Sequence, residues 1–467
     1  MKKVFAITMC MIFLITAFSA CGSSNNQSSG NQETTTASQT NAASQTDGTQ
    51  AEKKPSDYSG KVTFCIDTGE RFEEEFRKPF NEIYPNIEIE TVEAPPEERF
   101  EKLMVMLASR TGPDVLKVEQ SYYNQLVPSG YMYSLDDLVE ADPDIDYSMF
   151  DDNGINYYKS FDGKAYSIPI SPYHKLLFFN KKTFDKYGVE YPYHGMTMEQ
   201  LLDKARELNK KIIAAGDDKK DMRPFCQWEI HIEPLTGAMG VNFYNAETIE
   251  SNISDPKVQK AIKFWSDLWN ENLMITKEEA KAKGYGDTYK LFVQGQYPMI
   301  IENSWIIGMP GNPEISDLEY KGVYDAIPIP HFEGEAQVQP PVTYLGIGMS
   351  KDVKDPEVAF QVLKFGAKYW YDNISKATSS YNPSAYKESE NNKVLTSSDY
   401  FPGYKYILDE EAMSNPPYIA EIHDEIVWTA IKDVTSEAAI KKTPFDQVVA
   451  QIEKATTAVL ERYKKSK

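Results

Sequence analysis

The residue order predicts an α/β protein of two domains, each a mainly parallel sheet flanked by helices. Three observations carry this. Over residues 61–118 apolar, β-branched runs alternate with stretches of helical periodicity in the order strand, helix, strand, helix, strand. The folding stretch runs from about Gly60 to the C-terminus and has about 400 residues, more than one hydrophobic core usually spans. No period of about 20 to 50 residues recurs, which excludes a solenoid.

The chain opens with an export signal. Lys2 and Lys3 precede an apolar run from Val4 to Phe18, too short to span a bilayer, and Ser19 and Ala20 supply the small residues of a cleavage site. Residues 1–20 are therefore expected to be removed. Cys21 follows directly, so the junction resembles the lipobox of bacterial lipoproteins, whose cysteine is diacylated and becomes the new N-terminus. Phe18 stands where that pattern usually has Leu. The alternative is an ordinary signal peptide that happens to end at a cysteine. Residues 21–57 repeat Ser, Thr, Gln, Asn and Ala, with two Ser-Gln-Thr copies and no large apolar side chain. Such a segment cannot bury a core and is expected to be a flexible tether. A lipid at its end implies a body held at the outer face of the cell membrane.

In the body, residues 61–67 read as a buried strand, after which Phe72, Phe76, Phe80 and Ile83 recur at helical spacing. A strand at 87–92, a helix at 100–108 and a strand at 115–118 follow. Ligands of open α/β sheets bind outside the carboxyl ends of the strands, which singles out the loops after Asp67, Val92 and Val118. Further strands are expected at 175–180, 297–301, 324–329 and 344–349. Helix starts are punctuated by a Thr197/Gln200 capping box and by Asp255-Pro256, Asp355-Pro356 and Thr443-Pro444, each a cap before a first-turn proline. The last helix carries Val448, Ile452, Ala455 and Val459 on one face, so it is expected to dock.

The formal charge is −21, and loss of Lys2 and Lys3 with the leader lowers it by two more, to −23. Such a surface repels nucleic acid and anionic lipid, so no nucleic-acid partner is expected. Cys10 and Cys21 belong to the leader and its junction. Cys65 and Cys226 lie far apart and are expected to be two buried thiols without a bridge. No CxxC or HExxH occurs and the five histidines lack ligand spacing, so no metal or other cofactor is expected. Asp142-Pro-Asp-Ile-Asp-Tyr147 has Tyr147 where a calcium loop needs glycine, and reads as a solvated loop.

Seven short motifs then occur in order: Thr111-Gly-Pro-Asp-Val115; Asp162-Gly-Lys-Ala-Tyr166 with Ile168-Pro169; Leu177-Phe-Phe-Asn-Lys181; Phe292-Val-Gln-Gly-Gln296 through Pro298-Met299 to Trp305; Ala326-Ile-Pro-Ile-Pro330; Tyr344-Leu-Gly-Ile-Gly348; and Asp355-Pro-Glu-Val-Ala359 with Phe365. Together they make residues 60–467 similar to the extracellular solute-binding proteins of ABC sugar importers, the group that includes maltodextrin-binding proteins. The resemblance implies a two-lobed, periplasmic-binding-protein-like fold of type II, with hinge strands between the lobes and a ligand cleft that closes on solute. It places crossovers near Pro169–Pro172, near Gln339–Pro341 and around 391–402. The N-terminal lobe is then 60–170 plus 340–395, and the C-terminal lobe 171–339 plus 396–467. X-Pro pairs suit extended hinge segments, although the same prolines also fit ordinary loops.

A sugar site needs aromatic platforms for C–H faces and charged or amide groups for hydroxyls, and the chain holds 30 Tyr, 22 Phe and 6 Trp. The resemblance puts Trp305 at the end of the family's G-x-x-A-M…G-x-W pattern, with Pro298 in place of its Ala and Asn303 in place of its Gly; a core ring is the alternative. It puts Trp228 where relatives present an aromatic from the second lobe, and Tyr173 and His174 beside the first hinge. Asp67, Glu70, Glu93, Glu119 and Tyr122 follow strands of the first lobe, where carboxylates can accept hydroxyl hydrogen bonds or stand as plain loop acids. Tyr344 follows the second crossover, and His423 and Asp424 begin a helix returning to the second lobe. The expected partners are a sugar or oligosaccharide and the permease subunits of an ABC importer, with the binding protein a monomer that does no covalent chemistry. Rival readings are the same fold holding a polyamine, a peptide or, through paired tyrosines such as Tyr122 and Tyr123, ferric ion; a sensor subunit; and an exported glycosidase with two placed carboxylates.

Overall fold

In the computed structural model, residues 53–467 are described except 68–70, 95–97, 160, 218–220, 229, 312–321, 379–380, 398–400 and 410–411. The leader, Cys21 and most of the tether lie outside the described residues, as do Glu70 and the side chain of Asp67.

The strands are β1 (Gly60–Asp67), β2 (Ile87–Ala94), β3 (Val115–Val118), β4 (Ser167–Tyr173), β5 (Lys175–Asn180), β6 (Phe225–Gln227), β7 (Tyr244–Asn245), β8 (Glu250–Ser251), β9 (Met274–Thr276), β10 (Met299–Asn303), β11 (Tyr324–Pro328) and β12 (Thr343–Met349). One five-stranded sheet has the order β2-β1-β3-β12-β4 and a second the order β11-β5-β10-β6-β9. In each, one strand runs against the other four: β12 pairs antiparallel with β3 and β4, and β5 with β10 and β11. The remaining pairs are parallel, with β1 and β2 in register from Gly60↔Ile87 to Asp67↔Ala94. Helices cover the sheets, so the fold is the expected mainly parallel α/β pair. The chain passes from the first sheet to the second at His174, between β4 and β5, and returns between β11 and β12.

The first core is an aromatic pile. Phe72 and Phe76 stack at 4.8 Å, and Trp370 meets Phe76 edge-on at 5.1 Å and Phe64 at 5.5 Å. Each buried ring of this kind is worth about 1.5–3 kcal/mol. The stripe differs from expectation in one place: Ile83 is 43 % exposed, while Tyr84 is buried and stacks on Phe80 at 4.9 Å. The segment Glu73–Arg77 is a π-helix leading into the α-helix Lys78–Ile83. Its wider turn slows the rotation of the side-chain stripe, so residues four apart, Phe72, Phe76, Phe80 and Tyr84, keep to one face. The second core packs Trp265 and Trp269 of the helix Pro256–Asn270 with Val448, Ile452 and Val459 of the last helix, Phe445–Ser466.

Thr197 and Gln200 form the capping box, Asp255 caps its helix through Lys257 N at 2.7 Å, and Asp355 accepts from Val358 N at 3.1 Å. Thr443 does not cap. Pro444 itself occupies the cap position, with its carbonyl accepting from Gln447 and Val448, because the Thr443 carbonyl is taken by Trp269 Nε1 and Asn270 Nδ2, each at 3.3 Å. Nor is the acidic loop purely solvated: Asp142 receives the buried Lys364 ammonium at 2.6 Å, a pairing that a buried lysine requires. Cys65 and Cys226 are both buried and neither forms a disulfide.

Candidate functional site

Strands β3, β4, β6 and β10 end, and β5 and β12 begin, at a common edge between the two sheets, so the residues there face one another. They line a cavity of about 700 Å³. Of the residues singled out in the sequence, Glu119, Tyr173, Trp228, Trp305, Tyr344, His423 and Asp424 line it. His423 and Asp424 end the helix Ala420–Asp424 instead of beginning one.

Three others lie elsewhere. Glu93 is an exposed residue of β2 whose carbonyl accepts from Lys102 Nζ at 2.5 Å. His174 is tied to the return crossover through Nδ1 and Gln339 Oε1 at 2.8 Å, and burial holds its imidazole below the usual range. Tyr122 is buried behind the cavity, stacked on Phe100 at 4.7 Å with the Arg99 guanidinium 5.3 Å from its ring. Tyr122 and Tyr123 share the helix Gln120–Leu126, not a strand, and the Tyr123 hydroxyl donates to the Tyr158 carbonyl at 2.6 Å. Among the described residues no cluster of three His, Cys, Asp or Glu is placed to hold a metal ion.

One wall of the cavity is aromatic. Trp228 and Tyr289 meet edge-on at 5.0 Å and 83°, and Tyr289 meets Trp305 at 5.1 Å and 77°. Lys277, which is not a lining residue, sits 3.4 Å over the Trp228 ring, fixing the ring by a cation–π contact. Trp428, 43 % exposed, projects from the π-helix Glu425–Ile431 at the cavity, with Lys432 Nζ 5.3 Å from its ring. Tyr344 is held by its hydroxyl, which donates to Asp151 Oδ1 at 2.7 Å.

The polar groups are built as pairs. On the first sheet's side the buried Arg99 donates to Glu119, whose carboxylate stays partly exposed in the cavity. On the second, Glu302 of β10 meets Lys175 Nζ of β5 at 3.3 Å and His231 Nε2 at 3.2 Å, all three buried. Burial alone would raise the Glu302 carboxyl; Lys175 and His231 outweigh it and hold the group down at about 2. Trp265 Nε1 donates to the His231 carbonyl at 3.0 Å, so the second core positions this cluster. Glu233 meets His423 Nε2 at 2.8 Å; burial works against the His423 charge, yet the Glu233 carboxylate raises its imidazole above the usual range. Paired carboxylates and cations in one walled space offer hydroxyls both acceptors and donors at fixed positions.

Sequence reasoning missed Trp428, Tyr289, Arg99 and the Lys175–Glu302–His231 cluster. Only Trp428 left a signal: an indole with Lys432 four residues on, on the face of an otherwise amphipathic segment.

Three solved structures share this architecture. An ABC substrate-binding protein of Listeria monocytogenes in complex with cycloalternan superposes with a TM-score of 0.70 at 19% identity, covering 88% of this chain and 99% of that one. The GacH receptor of Streptomyces glaucescens, solved unliganded and with acarbose, gives 0.68 at 18%, covering 86% and 99%. A sugar transporter of Rhizobium etli in an open conformation gives 0.61 at 17%, covering 86% and 100%. At these identities the likeness speaks for the fold. The family profile of the bacterial extracellular solute-binding proteins matches residues 66–368, more than half of the chain, and the protein belongs to that family.

Proposed function

We propose that this protein captures a sugar or oligosaccharide between two closing lobes and hands it to the permease of an ABC importer. The observation that carries this is the cavity of about 700 Å³ on which aromatic rings and ion-paired carboxylates converge from both sheets. Rings suit the C–H faces of a sugar, and fixed charge pairs suit its hydroxyls; the volume lies within the range of small-molecule sites. The ligands of the structural neighbours, cycloalternan and acarbose, support the same class. Glu119, Tyr173, Trp228, Trp305, Tyr344, His423 and Asp424 are proposed contacts, joined by Trp428 and Tyr289. The lobes are proposed as 60–170 plus 340–395 and 171–339 plus 396–467. The solute is bound and released unchanged, closure being a shift between open and closed forms. Cys21 is proposed as the lipid attachment point that keeps the protein at the membrane.

The test is a thermal-shift screen against mono- and oligosaccharides, polyamines, amino acids and metal ions. A ligand that binds only the native state raises Tm. A saccharide hit that disappears in Trp305→Ala supports the reading; a polyamine or metal hit with silent saccharides overturns the ligand class.

A further inference from the structure

The two crossovers between the halves are both clamped on the second half's side. In the outgoing one, the His174 carbonyl accepts from Ser304 N at 2.8 Å and His174 N donates to Ser304 Oγ at 3.2 Å; Ser304 directly follows β10. In the return one, the Gln339 carbonyl accepts from Met413 N at 3.0 Å, beside a bridge between Gln339 and Ala412. Pro341 lies against Gly237 of the helix Glu233–Ala238, where an added Cβ would meet Pro341 Cδ at 2.8 Å. The fixed φ of Pro340 and Pro341 stiffens this stretch. One residue on, the chain belongs to the first half: Val342 packs on the core of Leu116, Val118 and Tyr344, and Thr343 pairs with Tyr173 of β4. The joints are therefore Tyr173–His174 and Pro341–Val342, which flank one rung of the first sheet. Ser304 Oγ spans the first joint with one bond, donating to the Pro172 carbonyl at 3.0 Å.

The side chain of Gln339, 4 % exposed, joins the two clamps. Its Nε2 donates to the carbonyl of Ile407, which belongs to the second half's core with Phe178, Ile300 and Tyr324. That bond fixes which way the amide points, since only its nitrogen can face a carbonyl. Oε1 then faces His174 Nδ1 at 2.8 Å, and the imidazole must present that nitrogen as N–H. A buried amide is tolerated only when both its ends are paired. Here the two ends are spent on the outgoing crossover and on the stretch that also clamps the return one, so a shift of either crossover breaks a buried hydrogen bond held by the other.

We propose that the Gln339 amide is a pin that makes the two crossovers one hinge. With it in place the first half turns about the Tyr173/Thr343 rung as a single body, because neither crossover yields without the other. Without it each crossover yields separately, and the halves approach along no fixed axis. Neither Gln339 nor His174 lines the cavity, so both act on solute only through closure, as positioning residues that set how the aromatic wall around Trp228 and Trp305 meets Tyr344 from the other side. The pin rests on the reading that the halves close, and it acts whichever solute they hold.

The experiment is amide hydrogen exchange on the full chain without solute. Gln339→Met nearly preserves volume and removes both amide bonds. The amides of Ser304, on the outgoing crossover, and of Met413, on the return one, are expected to lose protection together, each ~10-fold. His174→Leu is expected to loosen Met413 as well, on the far side of Gln339, and His174→Asn, whose amide can donate from the place of Nδ1, to restore it. Gln339→Met combined with His174→Leu should be no looser than Gln339→Met alone, since both break the same link. The amides of β1 and β10 stay protected throughout. Loosening confined to the crossover that carries the substitution, additive losses in the double variant, no recovery in His174→Asn, or lost protection in β1 and β10 would each overturn the pin. Failure of the sugar-binding reading itself would show in the saccharide screen and not here.

Discussion

Replacing Glu302 by Gln removes the one carboxylate shared by Lys175 and His231 while nearly preserving volume. Its size can be worked out from the structure. The carboxyl is held at about 2, roughly two units below an ordinary glutamate at ~4.3, and each unit is ~1.36 kcal/mol, so the ionised pair contributes about 3 kcal/mol. Breaking a buried pair from one side falls in the same range, ~3–5 kcal/mol, because the partner cation is stranded; Lys175 is only 7 % exposed. With unfolding entropy of ~2.1 cal/mol/K per residue over about 400 residues, 3 kcal/mol corresponds to a fall in Tm of ~3–4 °C at neutral pH. The sign of the pH dependence follows from the lowered value. The stabilisation is complete above the ordinary glutamate range and is lost as pH falls through about 2, so the Tm difference between wild type and Glu302→Gln narrows from about pH 4.5 downward. Calorimetry or circular dichroism across that range reads it. A double replacement, Lys175→Met with Glu302→Leu, is expected to recover most of the loss, since an apolar pair strands no charge. An unchanged Tm for Glu302→Gln at neutral pH would refute the argument that Glu302 and Lys175 form an ionised, mutually supporting pair.

Two further outcomes are expected. Trp428→Ala removes a half-exposed ring at the cavity and should weaken binding of the stabilising saccharide ~10-fold, about 1.4 kcal/mol, with Tm nearly unchanged; isothermal titration reads the affinity, and a wild-type Kd would remove Trp428 from the site. Gly403→Ala would place a Cβ 2.0 Å from the Ala326 carbonyl oxygen, beside the hydrogen bond from Gly403 N to Asp325 Oδ1 at 2.8 Å. The overpacking should cost ~1–3 kcal/mol, and a variant that melts with the wild type would show that this approach yields easily.

Much of the fold was legible because local pattern and tertiary structure agree. The apolar runs of β3 and β5 are buried along their whole length, so both strands have the bounds that their hydrophobicity suggests. Strands β6 and β9, three residues each, are too short for any periodicity to be visible. The resemblance places a hinge crossover near Pro169–Pro172; the segment is the strand β4, which accommodates both prolines because it lies at the edge of its sheet, where one side of the backbone has no ladder to supply. The π-turn at Glu73–Arg77 left the aromatic stripe readable but moved its end from Ile83 to Tyr84.

The site divides in the same way. Glu119 was found because a parallel α/β sheet presents its ligand at the carboxyl ends of strands, and those ends can be located one strand at a time; Trp228 and Trp305 were found through the resemblance to the family. Partnerships could not be found so. Glu302 lies 127 residues from Lys175 and 71 from His231, and His423 lies 190 from Glu233. The sequence by itself determined the alternation of strands and helices and the aromatic and acidic stock from which the cleft is built, since these depend on composition and on spacing within a few residues. Which acids are paired, and whether Tyr122 and His174 line the cavity or support it, were decided by the tertiary structure alone, because burial and Coulomb coupling depend on distances through space that the chain order does not encode.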